Sequence, residues 1–196
     1  IASQNSTVYF NEDCYTAINT HLLANSYSSI FIIADSNTIE YCYPSFIAKV
    51  VTDITIEVIQ IETGEEYKNL ETCSGVWNVL SELNADRKCL IINNGGGVVT
   101  DLGGFVASTF KRGVNYINAP TSLLAMVDAS VGGKTGVDLG SLKNQIGVIN
   151  TPEMVLIDTD FLKTLPANEM RSGLAEILKH GIIYSNAYWK KASNLS

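Results

Sequence analysis

Near the end of the chain Glu176, Lys179 and His180 stand three and four residues apart, so a helix would bring a carboxylate, an ammonium and an imidazole onto one face. Two readings follow. One is a solvated ion pair beside an ordinary surface histidine. The other is a partial metal site, with Glu176 as an oxygen ligand and a histidine as a nitrogen ligand. The chain has 2 histidines, His21 and His180. A complete site of the His/His/Glu kind would need both, or ligands from elsewhere, and His21 falls in an early helix without supporting context.

Upstream, Asp128, Lys134, Lys143 and Asn144 cluster in a glycine-rich stretch. A lysine pair there can hold an anionic substrate while a carboxylate orients a hydroxyl; a glycine turn with surface lysines is the plainer alternative. Gly133-Lys134-Thr135 resembles the end of a P-loop, but the first glycine of that motif would fall at Asp128, whose carboxylate would repel phosphate. The turn Gly95-Gly96-Gly97-Val98-Val99-Thr100-Asp101 follows a strand-like run and precedes a helical stretch, so its backbone N–H groups could approach a phosphate. As a G-x-G-x-x-G fingerprint it fails, because Thr100 stands where the last glycine belongs. A tight structural turn remains the alternative.

These residues need a scaffold. Apolar β-branched runs alternate with helix-period segments, the pattern of β-α-β units and a mainly parallel sheet. Strands are expected at residues 29–34, 55–62, 88–93 and 154–157. Residues 66–83 place Leu70, Cys73, Trp77, Leu80 and Leu83 at helical spacing, and Pro166 suits the first turn of a helix running to about Ile183. Between them Gly113, Gly132, Gly133, Gly136, Gly140 and Gly147 should interrupt any long element and mark ligand loops.

Composition narrows the class. The 196 residues are 46% hydrophobic and 17% charged, enough for a substantial core and unlike a disordered chain. The longest apolar runs, such as Ile30–Ala34, fall far short of the roughly 20 residues that span a bilayer. With no signal-like N-terminus visible, no membrane partner and a cytoplasmic location are expected. The net charge of −7 argues against nucleic acid as a partner. Residues 1–110 carry 4 basic and 13 acidic side chains, whereas 111–179 carry 7 of each, so an anionic ligand would choose the middle segment. Cys14, Cys42, Cys73 and Cys89 lack metal-type spacing and read as reduced core thiols.

Read together, the strings GGGVVTDLGGF (95–105), KRG (111–113), PTSLLAMVDASVGGKTGVD (120–138), LKNQIG (142–147), LIDTDFLKTLP (156–166) and SGLAEILKHGII (172–183) resemble the 3-dehydroquinate synthase family of sugar-phosphate cyclases. ADSN (34–37) and GEEYKNL (64–70) are similar to that family's adenosine-side segments. The resemblance implies a Rossmann-like α/β domain over 1–165, its mainly parallel sheet flanked by helices. It also implies that 166–196 begin a mostly helical second domain that is largely missing. The implied activity is conversion of 3-deoxy-D-arabino-heptulosonate 7-phosphate to 3-dehydroquinate and phosphate in the shikimate pathway. Its chemistry is oxidation by NAD, elimination of phosphate, return of the hydride, ring opening and aldol closure, with Zn2+ or Co2+ as Lewis acid.

Carried over by position, the resemblance assigns Gly97, Val98, Val99, Thr100 and Asp101 to the dinucleotide, with Thr121, Ser122, Lys134 and Lys143 nearby. Asp35, Asn37, Glu65 and Lys68 fall at the adenosine end, and Phe161, Leu162, Lys163 and Thr164 add to the cofactor set. Asp128, Lys134, Asn144 and Lys179 are implied for substrate, Arg112 for phosphate across a homodimer interface, and Glu176 as one metal ligand. His180 gains nothing, since the family tolerates tyrosine there. Thr100 departs from a glycine frequent in the family, and the two histidine ligands of the family's second domain have no counterpart, so the chain alone should bind metal poorly and be nearly inactive. A cyclase acting on sedoheptulose 7-phosphate or glucose 6-phosphate, a polyol dehydrogenase and a noncatalytic NAD-binding module remain alternatives.

Overall fold

The computed structural model describes residues 6–194. The chain opens with β1 (Thr7–Phe10), α1 (Glu12–Ala24) and β2 (Ile30–Asp35), followed by α2 (Ser36–Tyr41), α3 (Tyr43–Ile47) and β3 (Ile56–Ile61). Next come α4 (Leu70–Glu82), β4 (Leu90–Gly95), α5 (Gly97–Thr109) and β5 (Asn115–Pro120). A π-helical turn, Ala125–Ala129, leads into the hairpin β6 (Lys134–Leu139) and β7 (Leu142–Ile149). β8 (Met154–Ile157), α6 (Ala167–Tyr184) and α7 (Asn186–Ser193) follow.

Six strands form one sheet in the order β1-β8-β5-β4-β2-β3, every pairing parallel. β2 and β4 lie inside it with both faces covered, which is why they read as unbroken apolar runs rather than alternating ones. Phe31, Ile33 and Ile91 meet α4 and α5 on one face, whereas Ile30, Ile32, Leu90 and Ile92 meet α1 and α3 on the other. The chain leaves β2 toward β3, then crosses back so that β4, β5 and β8 extend the sheet the opposite way. The reversal opens a crevice at the carboxyl ends of β2 and β4, the place where open α/β sheets bind ligands.

The expected strands at 29–34, 55–62, 88–93 and 154–157 are β2, β3, β4 and β8, within two residues at each end. The helix expected from residue 66 starts at Leu70, because the Asn69 side chain accepts a hydrogen bond from the Thr72 N–H and caps it, while Glu65–Tyr67 form a separate 3-10 turn. The glycine expectation needs correction at two positions. Gly136 and Gly147 interrupt nothing; they face each other inside the β6–β7 hairpin, where a Cβ on Gly147 would lie 2.2 Å from the Thr135 carbonyl oxygen.

Two glycines fix how α5 packs. A Cβ on Gly103 would lie 1.9 Å from Asn93 Oδ1, and one on Gly104 would lie 2.4 Å from Thr135 Cγ2. α5 therefore rests its backbone on β4 and receives the hairpin on its other side.

All four cysteines are free and buried, in keeping with core thiols. Burial pushes the thiols of Cys14 and Cys73 up to about 12 and those of Cys42 and Cys89 up to about 11, from an ordinary 9.0. A native-state value above the unfolded one stabilises fully below pH 9.0, and that contribution fades as pH rises toward 11–12. Urea unfolding midpoints should thus fall steadily above pH 9. A maleimide at pH 7.5 should label no cysteine in the native protein and all four in urea.

Candidate functional site

Because every strand of the large sheet is parallel, the carboxyl ends share one edge, and the segments that follow them line it. Asp35 ends β2 and caps α2, its Oδ1 accepting from the Thr38 N–H at 2.9 Å; Asn37 is exposed on the first turn of that helix. Glu65 and Lys68 follow β3, Gly97–Asp101 follow β4, Thr121 and Ser122 follow β5, and Phe161, Leu162, Lys163 and Thr164 lie in the 3-10 turn Thr159–Thr164 after β8. Of these last four, Phe161 is buried in the core, Leu162 packs against it, Lys163 pairs with Asp160 at 2.8 Å, and Thr164 is exposed.

The glycine turn starts a helix sooner than a loop reading implies. α5 begins at Gly97, so Thr100 and Asp101 already lie in its first turns. No side chain caps Gly96, and Gly96, Gly97 and Val98 are partly exposed, which leaves first-turn N–H groups directed at the crevice. Val99 is core. Thr100, where the fingerprint has glycine, is buried and spends its hydroxyl on the Gly96 and Gly97 carbonyls, each at 3.2 Å. The β-branched residue therefore braces the turn without entering the crevice.

Charge pairing ties the next layer together. Lys68, 5% exposed, places Nζ 2.6 Å from Asp101 Oδ2. Burial pushes the Asp101 carboxyl above its usual range, opposed by the Lys68 ammonium. The Lys68 carbonyl accepts from the Asp138 N–H at 2.9 Å, and Lys143 on β7 lies 3.0 Å from Glu65. The hairpin is thus pinned to the loop after β3. Within it, Asn144 adopts the left-handed conformation, φ 52°, held by its N–H donating to Asp138 Oδ1 at 2.6 Å. Lys134, at the start of β6, is exposed.

Asp128 sits in the π-helical turn, whose Ala129 packs against the start of α5: a Cβ on Gly97 would lie 3.6 Å from that of Ala129. On α6, Glu176 and His180 turn toward the same point. Asp128, Glu176 and His180 each offer one ligand atom, and the three atoms lie within 4.8 Å of one another. Glu176 is only 15% exposed at its side chain; its Oε1 is buried, touches the Lys179 ammonium and lies 3.1 Å from His180 Nε2, with no aligned hydrogen bond. That contact holds Lys179 above its usual range, against the opposing effect of desolvation. The ion pair of the plainer reading is present, with Lys179 exposed, while Glu176 and His180 are partly buried beside Asp128. The resemblance assigns His180 no role, whereas its helical spacing from Glu176 brings it into this cluster.

Arg112 is elsewhere. It follows α5 in a left-handed conformation, φ 71°, at the amino-terminal edge of the sheet, and the 13-residue helix separates it from the glycine turn by about 20 Å. The structure does not bring it to Asp128 within one chain.

Residues 58–172, more than half of the chain, match the model of the 3-dehydroquinate synthase N-terminal domain. The chain belongs to that family. It is 42% identical over 178 residues to the 3-dehydroquinate synthase of Parabacteroides distasonis, an alignment covering 89% of this chain and 49% of that protein. Among solved structures it is similar to a 2-deoxy-scyllo-inosose synthase complexed with carbaglucose-6-phosphate, NAD+ and Co2+ (TM-score 0.80, 26% identity, covering 91% of this chain and 48% of that one). It is also similar to the 2-epi-5-epi-valiolone synthase of Streptomyces hygroscopicus with NAD+ and Zn2+ bound (TM-score 0.79, 31% identity, covering 91% and 50%). The chain thus spans about half the length of these relatives.

Removing one member of the buried pair tests its energetics. Lys68→Met should destabilise the protein to urea by about 3 kcal/mol, because Asp101 is left desolvated without its cation. Lys68→Met with Asp101→Leu should recover most of that loss.

Proposed function

We propose that the chain is the N-terminal half of a 3-dehydroquinate synthase, which binds NAD and a divalent cation and releases phosphate from 3-deoxy-D-arabino-heptulosonate 7-phosphate. One observation carries the reading most directly: a single turn holds Ala129 against the glycine start of α5 and Asp128 against Glu176 and His180. A dinucleotide turn and a cation-competent cluster are thereby adjacent, as a reaction that needs both requires. The uncapped, partly exposed glycine start fits a pyrophosphate, and the buried, unaligned oxygen of Glu176 beside two further donors fits a cation.

In this reading the N–H groups of Gly97 and Val98 bind the pyrophosphate, while Asp35, Asn37, Glu65 and Lys68 hold the adenosine side. Thr121, Ser122, Lys143 and the 161–164 turn border the same crevice. Asp128 accepts the hydrogen of a substrate hydroxyl and orients it, Lys134 and Lys179 neutralise the anionic substrate, and the Asn144 amide donates a hydrogen bond to it. Glu176, with Asp128 and His180 beside it, holds the cation, Zn2+ or Co2+ as in the two similar solved structures. When bound, NAD and the cation supply reversible hydride transfer and Lewis-acid polarisation. Arg112 would meet the substrate phosphate from a second copy of the chain, in a homodimer. Residues from 166 onward begin a second, helical unit. The four reduced core thiols suit the cytoplasm, and among the described residues no helix is long and apolar enough to cross a membrane.

The test is phosphate release by the protein extended to the length of its relatives, with heptulosonate phosphate, catalytic NAD and Zn2+, and with sedoheptulose 7-phosphate in parallel. Release from the heptulosonate phosphate without net NADH is the expected result. Release only from sedoheptulose 7-phosphate, or from neither, would overturn the proposal. The 196-residue chain itself should bind NAD in calorimetry but release no phosphate, and Glu176→Gln should weaken its Co2+ binding at least 10-fold.

A further inference from the structure

Two side-chain amides that pair with each other lie buried under α5. Asn93 on β4 and Asn118 on β5 are direct parallel partners, exposed by 0% and 3%. Asn93 Nδ2 donates to Asn118 Oδ1 at 2.9 Å, and Asn118 Nδ2 donates onward to the Ser130 carbonyl at 3.2 Å. Ser130 is the residue that closes the π-helical turn: its N–H donates to the Ala125 carbonyl at 3.0 Å and its hydroxyl donates to the same oxygen at 2.7 Å. Asp128 lies inside the loop so closed.

The arrangement is costly as pure structure. Asn93 Oδ1 is buried with no hydrogen-bond partner and lies where a Cβ on Gly103 would stand, so an apolar pair would fill the same space without an orphaned oxygen. What the amides supply instead is direction. A chain of oriented hydrogen bonds runs from the strand beneath α5 to the residue that sets the pitch of the Asp128 turn. A π-turn is a wide, rarely self-sustaining conformation that recurs at functional sites, and this one is closed by Ser130, which Asn118 holds.

We propose that Asn93 and Asn118 are positioning residues for Asp128, acting through Ser130 so that the glycine start of α5 and the Asp128 carboxylate keep a fixed separation. This deepens the functional reading above and rests on it for the role of Asp128, though not for the geometry of the relay.

The experiment uses the 196-residue chain, Asn118→Leu, Asp128→Asn and the double variant, with Co2+ alone as probe and calorimetry as readout. Asn118→Leu should weaken Co2+ binding roughly 10-fold, as loss of an outer hydrogen-bond partner of a ligand does. In the double variant the loss should be no greater than for Asp128→Asn alone. Unchanged affinity, or losses that multiply in full, would overturn the proposal. Hydrogen exchange supplies a second readout. Asn118→Leu should speed exchange at the Ser130 and Val131 amides about 10-fold while Ile92 and Ile117 keep their protection; uniform acceleration, or none, also counts against the relay. Should the parent chain bind no Co2+, the exchange data decide the relay, and phosphate release by the extended protein decides the functional reading. If Asn118→Leu does not fold, Asn93→Leu carries both readouts with the same signs.

Discussion

The close seating of α5 on the sheet governs almost everything around the crevice. Without side chains at Gly103 and Gly104 the helix drops onto β4 and onto the β6–β7 hairpin. That descent aims its first-turn N–H groups along the carboxyl edge, buries Asp101 beside Lys68 and gives the Asp128 turn a floor to rest on. Any residue larger than glycine at position 103 would lift the helix and separate these groups together. The site is therefore one consequence of a backbone-to-sheet distance rather than several independent arrangements.

Much of the scaffold could be read in the sequence because it obeys simple periodicities. β2, β3, β4 and β8 are apolar runs of strand length, and Leu70, Cys73, Trp77 and Leu80 announce α4 by spacing. β5 was harder, because Asn115, Asn118 and Pro120 break its apolar run, and β1 is only Thr7–Phe10. The hairpin was hidden for a different reason. Gly136 and Gly147 look like breakers in one dimension, and only their mutual apposition across two strands shows that they permit close approach.

The candidate site divides in the same way. Short-range features, such as the glycine run and the Glu176 to His180 spacing, are local and visible. The convergence of Asp128 with α6 joins residues 48 positions apart from Glu176, and no spacing rule spans that gap. Asn93 and Asn118 stand 25 positions apart, and nothing local to either marks them as a pair. Their pairing depends on register, which a single strand cannot disclose.

Glu176 and Lys179 together bear on how folding relates to metal. In small zinc domains the ligands repel or stay unpaired until the ion arrives, so the apo chain is unfolded. Here the half-buried carboxylate already has an ammonium against it, supplied by the same helix three residues on. That ammonium offsets the carboxylate's charge from within α6 itself. On the proposed reading, a bound cation would exchange one positive charge for another, and a chelator would remove it while leaving α6 folded.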